Sequence, residues 1–233
     1  PRHHLLAFAL LASAATALAQ GSLTPPTGAP APSMKTLDQL EPRTPLQAGA
    51  PGVTQNANGG FSITAPGSYY LTANLAVDSG DGISILSRNV TLDLGGFTIA
   101  SSEGTPAGAG IQAGSSVNLL IRNGRITSGS TYGFLTGIAS TNSTSTTIED
   151  VLVQGMAQDG IAIVATIRNC SASNCGSAGL RAAGTVTNST AYSCGGPGIV
   201  AGLAENCWAD EITGTAISCT GTASNCYGKS LTS

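Results

Sequence analysis

The sequence predicts an all-β chain wound as a solenoid of about seven stacked coils, a single-stranded parallel β-helix with a short N-terminal capping segment. Three observations predict it. First, Leu94, Ile121, Ile148, Ile167, Val186, Ala204 and Ala223 each stand two residues before Gly96, Asn123, Asp150, Asn169, Asn188, Asn206 and Asn225, at steps of 27, 27, 19, 19, 18 and 19 residues. A repeat of this length, rich in Gly, Asn and β-branched residues, belongs to a chain that stacks on itself. Second, a Gly-Ile or similar pair recurs at Gly82-Ile83, Gly110-Ile111, Gly137-Ile138, Gly160-Ile161, Gly179-Leu180 and Gly198-Ile199, with Ala216-Ile217 as a degenerate copy. Third, 31 Gly with only 4% aromatic and 9% charged residues can fill a thin, repetitive core but not a globular one. A helical solenoid would need Leu at helical spacing and little Gly, and neither is present.

The elements follow in order. Residues 1–19 read as a secretory signal peptide: Arg2 supplies the charge, Leu5 to Leu18 the apolar run, and Ala17-Leu18-Ala19 the small residues before a cut near Ala19-Gln20. A membrane anchor is the weaker reading, because the run is short and Ala-rich. The mature chain is therefore expected outside the cytoplasm, secreted or on the cell surface, with no membrane span of its own. Residues 20–32 form a Pro/Ala-rich linker. Residues 33–60 form a short helix, capped by Ser33 and stopped by Pro42, and a plug over the first coil; a disordered tether is the competing reading. Residues 61–233 form the β-helix domain. Phe61 to Leu75 gives strand, Pro-Gly turn and strand, and the coils start at Gly82. Loops are expected near 101–109, 127–136, 139–147 and 154–159.

Alternate strand residues face opposite sides, so the Leu94-to-Ala223 column points inward. The next column, Gly95, Arg122, Glu149, Arg168, Thr187, Glu205 and Ser224, points outward, and Arg122, Glu149 and Arg168 alternate in sign. The Asn column turns a corner, since Asn tolerates left-handed backbone. Beyond it, Val151, Cys170, Ser189, Cys207 and Cys226, then Val153, Ala172, Ala191, Ala209 and Gly228, face inward. The six Cys, which include Cys175, Cys194 and Cys219, are expected mainly as packed thiols, with Cys175–Cys194 and Cys207–Cys226 the pairs near enough to bridge. A formal charge of −3 without a basic stripe lacks the footprint of a nucleic-acid binder.

The stretch GSYYLTANLAVDSGDGISILSRNVTLDLGGFTI and the coils after it resemble the right-handed parallel β-helix repeat proteins of the pectin-lyase-like superfamily, and MKTLDQLEPRTPL resembles a segment upstream of such helices in exported bacterial proteins. The resemblance covers about residues 34–233 and implies a right-handed helix. It does not imply one activity, because the superfamily holds lyases, hydrolases, epimerases and adhesins.

A lyase would need carboxylates to hold Ca2+ and a nearby base. Glu149, Asp150 and Asp159 around one coil, with Arg168 on the next, are the catalytic candidates; an ion ladder plus a corner residue is the plainer reading. Asp210 and Glu211, being adjacent, are expected on opposite strand faces, which speaks against a hydrolase's acid pair. His3 and His4 lie in the leader, so the mature chain has no His for a Ser-His-Asp triad or a metal. The second candidate is a carbohydrate-binding strip. Trp208 and Tyr227 share an outward position below Thr190 and Ser171, with Tyr192, Asp210 and Lys229 two residues along; the plainer reading is a stack covering a thin corner. The function expected is a non-catalytic exported or surface module presenting a rigid face to glycans or envelope proteins, needing no cofactor and no metal. The alternative is a lyase or hydrolase of acidic polysaccharides, the one case calling for Ca2+. A further expectation is self-association through the last coil, which shows no apparent cap before Ser233.

Overall fold

In a computed structural model the described residues are 42–114, 117–129, 133–140 and 144–231, so the predicted leader, linker and helix at 1–41 lie outside them. The described residues hold only strands and turns. They wind into about eight coils of parallel β-solenoid. Each coil has three strand stretches. The first joins a nine-stranded sheet and the second and third join a fifteen-stranded one. Coil one is Phe61–Ile63, Gly67–Tyr70 and Leu75–Val77; the last is Ile217–Cys219, Ala223–Ser224 and Tyr227–Ser230. The coils therefore start at Phe61, not Gly82: Phe61–Ile63 pairs parallel with Ile83–Ile85, and Gly67–Tyr70 with Val90–Asp93. The short strands before Gly82 already make a full turn, which adds one coil to the seven expected.

The chain before coil one covers its open edge. Val53–Gln55 pairs antiparallel with Phe61–Ile63, and Thr44–Pro45 pairs parallel with Tyr69–Tyr70. The antiparallel strand ends the parallel ladder on that side and leaves only a three-residue edge, and short edge strands blunt pairing with other chains.

The repeat column holds with one correction. Ile121, Ile148, Ile167, Val186, Ala204 and Ala223 are partners in register. Their predecessor is Leu92, with Tyr69 before it, rather than Leu94. The corner explains the shift. Between Asp93↔Arg122 and Thr98↔Arg125 the earlier coil carries two more residues than the later one. It turns on Gly95 and Gly96, both at positive φ, where the later coils use one Asn. The displaced Leu94 fills the corner column instead. A Cβ on Gly124 would sit 2.3 Å from the Leu94 Cβ, so Gly124 makes room for that side chain.

The Gly-Ile column also holds: Ile83, Ile111, Ile138, Ile161, Leu180, Ile199 and Ile217 are successive partners. Its glycines mark where the third stretch of a coil comes closest to the first. A Cβ on Gly137 would lie 2.4 Å from Val153 Cγ1 and 2.5 Å from the Gly160 carbonyl. The inward residues of the third stretch shrink along the axis, Ile99, Ile126, Val153, Ala172, Ala191 and Ala209, all fully buried. The later coils thus close around a narrower core. Residues 102–108, 129, 133–135 and 155–159 lie outside the strands, as expected, but 139–140 and 144–147 belong to the strands Thr136–Ser140 and Thr144–Gln154.

Candidate functional site

The predicted corner is real in geometry. Asn123, Asp150, Asn169, Asn188, Asn206 and Asn225 have φ of 59, 55, 52, 49, 53 and 50°. A residue in this region lets a strand bend without losing its ladder, and Asn and Asp tolerate it best. Their side chains bond along the axis: Asn169 Nδ2 donates to Asp150 Oδ1 at 3.2 Å, and Asn206 Nδ2 to Asn188 Oδ1 at 3.2 Å. A second ladder stands at another corner, where Asn118 Nδ2 donates to Asn89 Oδ1 at 2.9 Å. Unequal coil lengths hid it from the sequence.

Just before the first corner runs the outward ion ladder. Its first charged member is Asp93, not Gly95 in the predicted column, because Asp93 is the partner of Arg122. Asp93 Oδ2 lies 3.2 Å from Arg43 Nη1 and 3.2 Å from Arg122 Nη2. Its Oδ1 accepts from Gly95 N at 2.9 Å and Asn123 Nδ2 at 3.2 Å. Arg43 also lies 4.9 Å above the Tyr70 ring. Burial pushes the Asp93 carboxyl up, but the Gly95 and Asn123 hydrogen bonds and the Arg122 charge outweigh it, and the group ends below the usual carboxylate range. A depressed folded-state pKa stabilises the fold above the unfolded-state value and loses that contribution as pH falls through the folded one. Asp93→Asn should therefore cost about 1–2 kcal/mol at neutral pH and little once the wild-type carboxyl is protonated, measured by denaturant melts across the acid range.

The catalytic candidates separate. Arg168 Nη2 lies 3.1 Å from Glu149 Oε2, on the outer face of the second stretch. Both line a shallow groove of about 360 Å3 with Thr91, Leu120 and Thr147. Asp150 sits at the neighbouring corner, bonded to Asn169. Asp159 stands at a different corner, before the strand Ile161–Ile163. Its Oδ1 accepts from Ala178 N at 2.8 Å, and Oδ2 lies 3.3 Å from Arg181 Nε. Asp81 does the same at this corner three coils earlier, accepting from Ala109 N at 2.9 Å. Each carboxylate caps the backbone of the next coil, which gives Asp159 a structural role. Among the described residues no three His, Cys, Asp or Glu gather where they could hold a metal ion.

The thiols form columns in the core. All six are free, and Cys170, Cys175, Cys194 and Cys207 are buried. Burial pushes Cys170 up to about 12. Cys175 is raised first by its hydrogen bond to Cys194 and then by burial. Cys170 and Cys175, held protonated this way, are poor nucleophiles and serve as packing, while the same hydrogen bond pulls the Cys194 thiol below its ordinary value.

The aromatic strip comes together. Trp208 is the register partner of Thr190 and Tyr227, and Tyr192 that of Asp210. Tyr192 leans diagonally onto Trp208, with ring centroids 6.2 Å apart and planes 7° from parallel. Trp208 and Tyr227 are 6.3 Å apart at 15°. The three rings form one offset ladder along the axis. They are 39%, 38% and 50% exposed, so part of each residue is open to solvent. Ser171 and Thr190 continue the column, joined by a 2.9 Å hydroxyl bond.

Asp210 and Glu211 depart from the expectation. They do not face opposite sides: Trp208, Asp210 and Glu211 are all outward, and only Ala209 and Ile212 point into the core. A bulge between Ala209 and Ile212 shifts the pairing, and Glu211 has φ of 54°. A bulge adds one residue to its strand and re-aims the side chain. Asp210 Oδ1 lies 3.9 Å from Lys229 Nζ. The Glu211 carboxylate, as an acceptor beside the Tyr192 hydroxyl, holds the phenol above its ordinary value. The sequence does hold a signal for Glu211, since it follows Asp210 as Ser193 follows Tyr192 and Asn174 follows Ser173.

Among the described residues no helix is long and apolar enough to cross a membrane. The family described as "right handed beta helix region" matches residues 59–230. No curated protein and no solved structure matches.

Proposed function

Because the chain belongs to the right-handed β-helix family, a scaffold that carries many unrelated activities, we propose a function from its surface: it is a non-catalytic binding module, exported or held at the cell surface, that docks glycan chains on its ring ladder. The observation that carries this reading is the row Tyr192, Trp208 and Tyr227, exposed and nearly parallel on successive coils. Large rings are scarce in this chain, with one Trp and five Tyr in all. Three of them stand in one outward row. An aromatic ring offers an apolar face to the C–H side of a sugar and polar edges to its hydroxyls. The row runs along the axis, so it suits a polymer better than a single sugar.

The test is calorimetric titration of the full chain with a panel of neutral, acidic and amino-sugar oligomers. Trp208→Ala should weaken binding by about tenfold or more, with no change in the melting curve beyond that of an exposed substitution. Binding that Trp208→Ala leaves untouched would remove the ring row from the function.

A second reading rests on the Glu149–Arg168 groove, which would serve a lyase or hydrolase of acidic polysaccharides. Its two charged groups already neutralise each other at 3.1 Å, which disfavours it. Turnover of such a polymer that is lost in Arg168→Ala would restore it.

A further inference from the structure

Twelve described non-glycine residues have positive φ, and eleven of them are Asn, Asp or Ser; Glu211 is the exception. It closes a column whose earlier members are Gly155, Asn174 and Ser193, with φ of 79, 54 and 52°. Their amides bond in series, Gly155 N to Ser173 O, Asn174 N to Tyr192 O and Ser193 N to Asp210 O, each at 3.0 Å. The place thus accepts Gly, Asn or Ser at little cost, and a Glu there is strained. Strain kept at one position of a repeat points to a use for the side chain. What the conformation achieves is to turn the Glu211 carboxylate outward beside the Tyr192 ring, next to Asp210, where a regular strand would have buried one of the two.

Two carboxylates therefore flank the ring row. Among the described residues Lys229 pairs with them, loosely, at 3.9 Å from Asp210 Oδ1. Ring faces carry negative potential and attract cations, and carboxylates beside them add to that attraction. An anionic ligand would meet both as repulsion.

We propose that the ring row selects glycans bearing protonated amines, that is, polymers of amino sugars with free amino groups. This rests on the glycan reading above and narrows it. The sugar's C–H side lies on Trp208 and its neighbours, and the ammonium group sits against Glu211 and Asp210.

The experiment titrates the full chain with a glucosamine oligomer, its N-acetylated counterpart, an oligogalacturonate and an oligolysine. The free-amine oligomer should bind about tenfold more tightly than the acetylated one, and the oligogalacturonate most weakly. Asp210→Asn combined with Glu211→Gln should abolish the amine preference while Trp208→Ala weakens both glucosamine forms. Glu211→Asn should relieve the backbone and raise the melting temperature while lowering the preference, a pairing that a purely structural Glu211 would not give. Acetylated oligomer bound as tightly as free amine, or a preference that survives the double variant, overturns the proposal and leaves the glycan reading standing. Oligolysine bound as tightly as the glucosamine oligomer overturns it in favour of a charge-only surface. Binding of none of the sugars overturns the glycan reading and this inference with it.

Discussion

Gly137→Val is expected to destabilise the solenoid by about 3 kcal/mol, a cost at the upper end for overpacking a tight core. The β-carbon would stand 2.4 Å from Val153 Cγ1 and 2.5 Å from the Gly160 carbonyl oxygen. The first contact is a fully buried side chain and the second is backbone of the next coil, so neither can swing aside. Relief requires the first and third stretches to part, which strips hydrogen bonds from two neighbouring coils. Gly104 is the control: a β-carbon there meets nothing within 4 Å, and Gly104→Ala should fall within about 0.5 kcal/mol of wild type. Denaturant midpoints of the two variants decide it. Equal midpoints would mean that the coils do not close where the Gly column places them.

Ile148→Ala should cost about 3–4 kcal/mol, as for large-to-small changes at sites that cannot collapse. Ile148 is fully buried between Ile121 and Ile167, its register partners above and below. The cavity it leaves is walled by coils on both sides. The matching change at Ile217, on the last described coil and only partly buried, should cost about 1 kcal/mol or less, because among the described residues that coil has a neighbour on one side alone. In a stack whose units touch only their neighbours, damage in the middle divides the structure while damage at the end frays it. Equal losses at the two sites, read from the same melts, would contradict a one-dimensional stack.

Periodicity made the stack legible, and departures from periodicity hid the rest. From Ile121 onward the predicted inward and corner columns are the observed ones, since Ile167, Val186, Ala204 and Ala223 follow at near-constant spacing. Leu94 was misplaced because the Gly95-Gly96 turn carries two extra residues, and counting back from Gly96 lands on the corner instead of the strand. The same slip hid Asp93, the most heavily bonded carboxylate described. Trp208 and Tyr227 could be paired from spacing, and the diagonal lean of Tyr192 agrees with its predicted offset. Glu211 could not be oriented by strand alternation, because a bulge breaks the rule that alternation relies on. Asp159 was grouped with Glu149 by its nearness in sequence, yet a coil carries such neighbours to separate corners.

The coils near the ring row repeat at 18–19 residues, with each strand meeting its copy on the next turn. Excising or duplicating one such period would leave every remaining turn seated on an equivalent neighbour. The chain's length is in this sense an adjustable quantity: a lineage could lengthen or shorten the row of rings by whole increments without redesigning the interior.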